Sequence, residues 1–288
     1  MRAHLLNKQF YVVLLLCCIL SRVFFSVHYI EDIDSLRFAY SVADEFNILK
    51  LQPHFPGYAV FCFLANILYG IIGNLGIVFS LIGGISTFVI IFYSIKILQI
   101  ELIIKSIFFT SLFLFFNPMI WIMSNRYMPD LMGLAIFVVS FYFLIQKTNK
   151  NKIIGYFLFG ILLGTRLSYF PLLLVPVLQS FINSRKKLLL IISLLVGICI
   201  WLLPLIWLTG FNNLYFAALK HTFGHFLDYG GTIITEQSFT QRIILLINTV
   251  WSDGFGGYWE NRSMITLMLS TLLLPLLLQV FLHFKVLI

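Results

Sequence analysis

The feature that most limits what this chain can fold into is a succession of long stretches with almost no charge. After an apolar run at about residues 10–29, interrupted by Arg22, come runs at 57–72, 74–95, 102–123, 129–146, 153–182, 188–209, 243–252 and 264–284. Several are about 20 residues long, the length that crosses a bilayer as a helix. Of the 288 residues 60% are hydrophobic and 10% charged, and the mean hydropathy is +0.99. Soluble domains carry roughly 25% charged residues, and one soluble core could not hide this much apolar surface. The fold class expected is all-α, a polytopic membrane helical bundle forming a single transmembrane domain over residues 1–288. The net charge of +8 then points to cytoplasmic loops rather than to nucleic acid.

Basic residues set the expected threading. If 57–72 crossed fully, every later basic linker would fall on the side of the first loop, against the positive-inside rule. If 57–72 instead lies at the interface, and 243–252 does the same, then Arg2, Lys8, Lys96, Lys105, Lys147, Lys150, Lys152, Arg185, Lys186, Lys187 and Lys285 share one face. The expectation is about eight spans, including a short hairpin at 153–182 split at "GTRLSYFP", with a cytoplasmic N-terminus. The N-terminal run lacks a small-residue cleavage site and reads as an uncleaved anchor. The clearest polar linkers are 146–152 and 183–187. Cys17, Cys18, Cys62 and Cys199 all lie in apolar segments with no metal-type spacing, so they read as small core residues.

The opposite face collects the acids. Of 11 carboxylates, Glu31, Asp32, Asp34, Asp44 and Glu45 fall in the outward first loop, "EDIDSLRFAYSVADEF". Leu36, Ala39, Tyr40, Ala43 and Phe46 recur there at helical spacing, which predicts an amphipathic helix over 35–46 lying on the membrane surface. Asp34 could simply cap that helix; alternatively Asp32 or Asp34 is a general base or metal ligand. "PHFPGY" fixes a rigid turn, with His54 either structural or near an anionic group. Arg126 and Asp130 in "SNRYMPD" read as an interfacial ion pair or as site residues. Arg166, between two apolar helices, is either a phosphate contact or a side chain snorkelling to the interface. His221 and His225, spaced i, i+4 ahead of Asp228, suit contact with an anion or chelation of a divalent metal.

The order of these motifs has a counterpart. A first span, an outward "DIDSLRFA", then "QPHFPGYAVF", "SNRYMPDLMGLA" and "GTRLSYFPLLLVP" together resemble the C-class (GT-C fold) of membrane glycosyltransferases. That superfamily includes protein O-mannosyltransferases and aminoarabinose transferases. The first loop and turn are similar to a subgroup that reads GDSGEL followed by HPPGYP. The resemblance runs over roughly residues 5–260. It implies transfer of a sugar from a polyprenyl-phosphate donor to a glycan, lipid or protein acceptor at the non-cytoplasmic face of a bacterial plasma membrane or its equivalent. By position it implies Asp34, with Asp32 as neighbour or substitute, as the catalytic carboxylate. It implies Asp130, Arg166, His54 and Arg126 as substrate-binding groups; His221 and His225 join them as candidates from their spacing alone. Some members use a metal. Family members usually run longer, which implies that a C-terminal part is missing and leaves an inactive truncated protein as an alternative. A transporter or lipid-handling protein is the other alternative.

Overall fold

The computed structural model of the chain describes residues 2–99, 104–228, 238–260, 263–268, 270–271 and 274. Among these residues the secondary structure is helical, with an isolated bridge between Asn47 and Gln52 and no β-strand. The chain divides into two compact units, Met1–Phe115 with Met123–Phe223, and Phe116–Ile122 with Gly224–Ile288.

The first unit carries most of the helices. They are α1 (Arg2–Phe24), α2 (Ile33–Ala43), α3 (Ala59–Ile72), α4 (Leu75–Ile97), α5 (Ile104–Phe115), α7 (Asp130–Leu144), α8 (Asn149–Thr165), α9 (Phe170–Ile182), α10 (Lys187–Thr209) and α11 (Phe211–Phe223). Close approaches at glycine give their directions. A Cβ on Gly76 would meet the Val27 carbonyl and one on Gly84 the Cys18 carbonyl, so α1 and α4 run antiparallel. Gly133 faces Arg166, and Ser140 bonds the Gly155 carbonyl at 2.9 Å, so α7 and α8 are antiparallel. Ser193 bonds the Ile153 carbonyl at 2.7 Å and Trp201 the Gly160 carbonyl at 2.9 Å, so α8 and α10 are parallel. Ser184 bonds Asn149, and Leu173 packs with Leu162, which returns α9 beside α8.

These directions place the chain's turns at two ends of the unit. Ile97, Leu144, Asn149, Ile182 and Lys187 end or begin helices at one end, where the basic linkers lie. The other end gathers residues 25–58, the start of α4, residues 124–133, Arg166 and α11. The helix α3 begins beside Arg166 and ends at the left-handed Gly73 that opens α4. Both its ends are therefore at the acidic end, as expected for a segment that does not run the length of the bundle.

Two helices among the described residues, α4 and α10, are long and apolar enough to cross a membrane. They differ in surroundings, for 61% of the apolar window of α4 is buried and 17% of that of α10. Leu195, Ile200, Leu203 and Trp207 of α10 lie open, as do Val13 and Leu16 of α1, Phe109 of α5 and Val175 of α9. Protein packing covers one flank of these helices and leaves the other bare.

Several local expectations change. The run 102–123 is not one helix: it breaks at Asn117, whose Oδ1 accepts from Ile120 N, and restarts as α6 (Pro118–Met123). Proline disfavours helical backbone in the residue before it, and Asn caps the restart. The linker 146–152 is shorter than expected, because Thr148 caps α8 at Asn149. In α2 the buried face is Ser35, Phe38, Ala39, Ser41 and Val42, while Tyr40 is exposed. Phe38 packs edge-on against Tyr58 and Phe61, and an aromatic stack continues through Phe79 to Tyr127.

The second unit includes α6 and α12 (Phe239–Asn248), with further helical backbone at 264–268. Ser238 and Gln241 form a capping box on α12, which continues as a π-helical turn over Thr249–Gly254. The Asn117 amide donates to the Gly254 carbonyl at 3.0 Å.

Candidate functional site

The first loop separates the roles of its carboxylates. Asp32, not Asp34, caps α2: its Oδ1 accepts from Ser35 N at 2.7 Å. Its other oxygen pairs with Arg126, whose Nε also faces Glu31 at 2.7 Å. Burial alone would raise the Asp32 carboxyl, but the Ser35 hydrogen bonds and the Arg126 charge hold it below the ordinary carboxylate value. Asp32 is thus fully engaged. Asp34, one step into the helix, meets Arg37 Nη1 at 2.9 Å and His54 Nδ1 at 3.8 Å, both through Oδ1. Its side chain is 39% exposed, so a carboxylate oxygen remains open to a ligand.

The turn that follows aims His54. Asn47 caps a 3-10 turn at Ile48–Lys50, and both X–Pro peptides, Gln52–Pro53 and Phe55–Pro56, are cis. Gly57 has φ +92°, a left-handed conformation that favours glycine, and a Cβ there would press on the Ile48 Cδ1 methyl at 2.9 Å. Tyr58, at φ 44°, opens α3 with its ring buried against Phe38. The result is a His54 ring held between Asp34 and Tyr58, with Nε2 2.9 Å from the Tyr58 hydroxyl. His221 of α11 stacks on it, centroids 5.6 Å apart and planes at 17°.

The break between α8 and α9 supplies the cation. Arg166 closes α8 in extended backbone, ahead of a 3-10 turn at Leu167–Tyr169. Its Nη2 pairs with Asp130 Oδ1 at 2.9 Å, its Nη1 donates to the Tyr58 hydroxyl at 3.2 Å, and its guanidinium lies 5.5 Å from the Tyr58 ring centre. Gly133 makes room for it, since a Cβ there would fall 2.6 Å from Arg166 Cβ. A chain of contacts therefore runs from Asp34 through His54, Tyr58 and Arg166 to Asp130. Within it His54 Nδ1, Arg166 Nε and Asp130 Oδ2 are buried without a hydrogen-bond partner.

Desolvation dominates the titration of the ring. Burial lowers His54 from its ordinary value to about 4, aided by His221, Arg37 and Arg166 and opposed by Asp34. Burial likewise pushes Tyr58 up to about 12, with Asp130 and Asp34 adding to the rise and Arg166 opposing it. At neutral pH the ring is uncharged and the phenol keeps its proton. His54 is therefore not a cation aimed at an anion.

Of the residues singled out from sequence, Asp34, His54, Asp130, Arg166 and His221 meet in one network. Asp32 and Arg126 form a separate pair that ties the first loop to the turn before α7. Arg126 and Asp130 do not pair with each other, for each has a partner distant in sequence. His225 lies in a π-helical turn over Gly224–Asp228, and its side chain falls outside the described residues. Sequence reasoning missed Tyr58, Arg37 and Glu31. Tyr58 closes "PHFPGY", and an aromatic with a polar tip directly after a Pro-Gly turn was the available signal. Among the described residues no three His, Cys, Asp or Glu side chains group as metal ligands. The chain matches no protein-family model, and neither a curated protein nor a solved structure matches it.

Proposed function

We propose that this chain is a multi-pass membrane glycosyltransferase of the C-class that takes its sugar from a polyprenyl-phosphate donor. In this reading α1, α4, α5, α7, α8, α9 and α10 cross the bilayer, α2 and α3 stay at one interface, and the basic linkers face the cytoplasm. The bare apolar flanks of α1, α5, α9 and α10 meet lipid. The observation that carries the reading is the convergence of Asp34, His54, Asp130, Arg166 and His221, from five separate segments, at the end of the unit away from the basic linkers.

Roles follow from the contacts. Asp34 accepts the proton of the acceptor hydroxyl, because Asp32 is occupied by its cap and by Arg126. The acceptor oxygen bonds to the anomeric carbon as the bond from that carbon to the phosphate oxygen breaks, and the electron pair leaves with the phosphate. Arg166, held by Asp130 and Tyr58, presents positive charge to the departing phosphate without first reorganising. Arg37, on the other side of Asp34, adds to that field. The test is sugar transfer by the purified chain in lipid nanodiscs, supplied with a panel of polyprenyl-phosphate sugars. Wild type should transfer at least one of them. Asp34→Asn should lose on the order of 100-fold or more, and Asp32→Asn, which can still cap α2, should keep most of its rate. No transfer from any donor, or undiminished transfer by Asp34→Asn, overturns the reading.

A further inference from the structure

We propose that Tyr58 is the positioning residue of this site: its hydroxyl holds His54 as the tautomer whose Nδ1–H faces Asp34. The inference rests on Asp34 as the proton acceptor for its mechanistic meaning, but not for its geometry.

The argument is one of donors and acceptors. Arg166 can only donate, so at 3.2 Å the Tyr58 oxygen is the acceptor. The hydroxyl keeps its own proton, and His54 Nε2 lies 2.9 Å away to receive it. An Nε2 that accepts must be unprotonated, so the proton of the neutral ring sits on Nδ1. Nδ1 is buried without a hydrogen-bond partner, and Asp34 Oδ1 stands 3.8 Å from it. That separation exceeds a hydrogen bond, but catalytic contacts of this kind commonly tighten when substrate binds. An Nδ1–H closing on Oδ1 leaves Oδ2 of Asp34 for the acceptor hydroxyl.

The surroundings suit a fixed, uncharged ring. Asp34 and Arg37 face it from α2, His221 stacks on it from α11, and Arg166 reaches it through Tyr58 with Asp130 behind. The low ionisation of His54 agrees with this, since a hydrogen bond donated to the neutral ring and burial both disfavour the imidazolium. No proton passes to His54 in the reaction. The acceptor proton goes to Asp34, and His54 orients that carboxylate. Tyr58 thus couples the phosphate-facing cation to the base, because one hydroxyl serves both.

The decisive experiment is nitrogen-15 NMR of histidine-labelled protein in micelles, with the His54 signals assigned by their loss in His54→Gln. At pH 7 wild type should show the Nδ1–H tautomer, with Nε2 at the shift of an unprotonated nitrogen. Tyr58→Phe keeps the ring against Phe38 but removes the hydroxyl. It should convert His54 to a tautomer mixture and make the imidazolium a weaker acid, its acid ionisation constant falling on the order of tenfold. In the transfer assay Tyr58→Phe should lower kcat, and the acid limb of the pH profile should move with the NMR titration, which loss of the Arg166 contact alone would not produce. A wild-type Nε2–H tautomer overturns the proposal, and that measurement stands even if Tyr58→Phe fails to fold. An unchanged tautomer and titration in Tyr58→Phe overturns it as well. If wild type shows the expected tautomer yet transfers no sugar, the proposed reaction fails and the geometry stands.

Discussion

Breaking the pair between Asp130 and Arg166 should reveal a coupling that neither residue's exposure would suggest. The two groups meet at 2.9 Å with side chains 22% and 25% exposed, intermediate between a surface and a buried pair. Two unit charges at that range attract by about 6 kcal/mol at an effective dielectric near 20, and desolvation offsets much of it. Arg166→Gln strands Asp130, whose Oδ2 is already buried without a partner, so it should cost about 3 kcal/mol. Asp130→Asn should cost less, about 2 kcal/mol, because Arg166 keeps the Tyr58 hydroxyl and ring face. Once one charge is gone the other is better removed, so the double variant should cost about 2 kcal/mol less than the sum. Arg166→Lys keeps the charge but cannot hold Asp130 and Tyr58 together, so affinity for polyprenyl phosphate should fall moderately in the same protein. Reversible unfolding in mixed micelles, run on wild type, both single variants and the double variant, gives the coupling. Additivity within about 0.5 kcal/mol would refute the network.

Acid should destabilise the fold through His54. Its folded value of about 4 lies below the ordinary histidine value, so between those pH values the unfolded chain binds a proton that the folded chain refuses. The stability from keeping the ring neutral is full above about pH 6.5 and falls by up to about 1.4 kcal/mol per pH unit down to about pH 4. Melting temperatures of wild type and His54→Gln across pH 4–7.5 check this, and parallel curves would contradict it. Gly83→Ala should fail where Gly70→Ala succeeds. A Cβ on Gly83 would sit 1.8 Å from the Ser124 carbonyl oxygen, and one on Gly70 meets nothing within 4 Å. The first should lose about 3 kcal/mol or more, or not fold, and the second should be neutral or gain up to about 1 kcal/mol. Thermal unfolding of the two purified variants decides it.

What could be read from sequence was what composition and periodicity control. The split of 153–182 was legible because Arg166 and Pro171 both oppose a continuous apolar helix there. Charge bookkeeping led to the expectation that 57–72 does not cross a membrane, which belongs to the proposed threading; contacts at Tyr58 and Gly73 place both ends of α3 at one end of the unit. What escaped depends on three-dimensional partners. The cap fell to Asp32 rather than Asp34 because Arg126, more than 90 residues away, fixes Asp32 from outside the helix. The buried face of α2 is Phe38 and Val42 because the aromatic stack of Phe61, Phe79 and Tyr127 lies beneath it. The Pro-Gly turn marks Tyr58 as a candidate, but its role as a bridge depends on Arg166, a helix end 108 residues on.

In the proposed threading the acidic cluster and the basic linkers lie on opposite faces of a membrane. Labelling with a membrane-impermeant thiol reagent tests this most directly, in a background with Cys17, Cys18, Cys62 and Cys199 replaced. Lys50, Lys150 and Lys186 are exposed, so Lys50→Cys, Lys150→Cys and Lys186→Cys are suitable single probes. Lys50→Cys should react from the non-cytoplasmic side of intact cells. Lys150→Cys and Lys186→Cys should react only once the membrane is opened. Equal labelling of Lys50→Cys and Lys150→Cys in intact cells would contradict the threading, and with it the site as a membrane-face active centre.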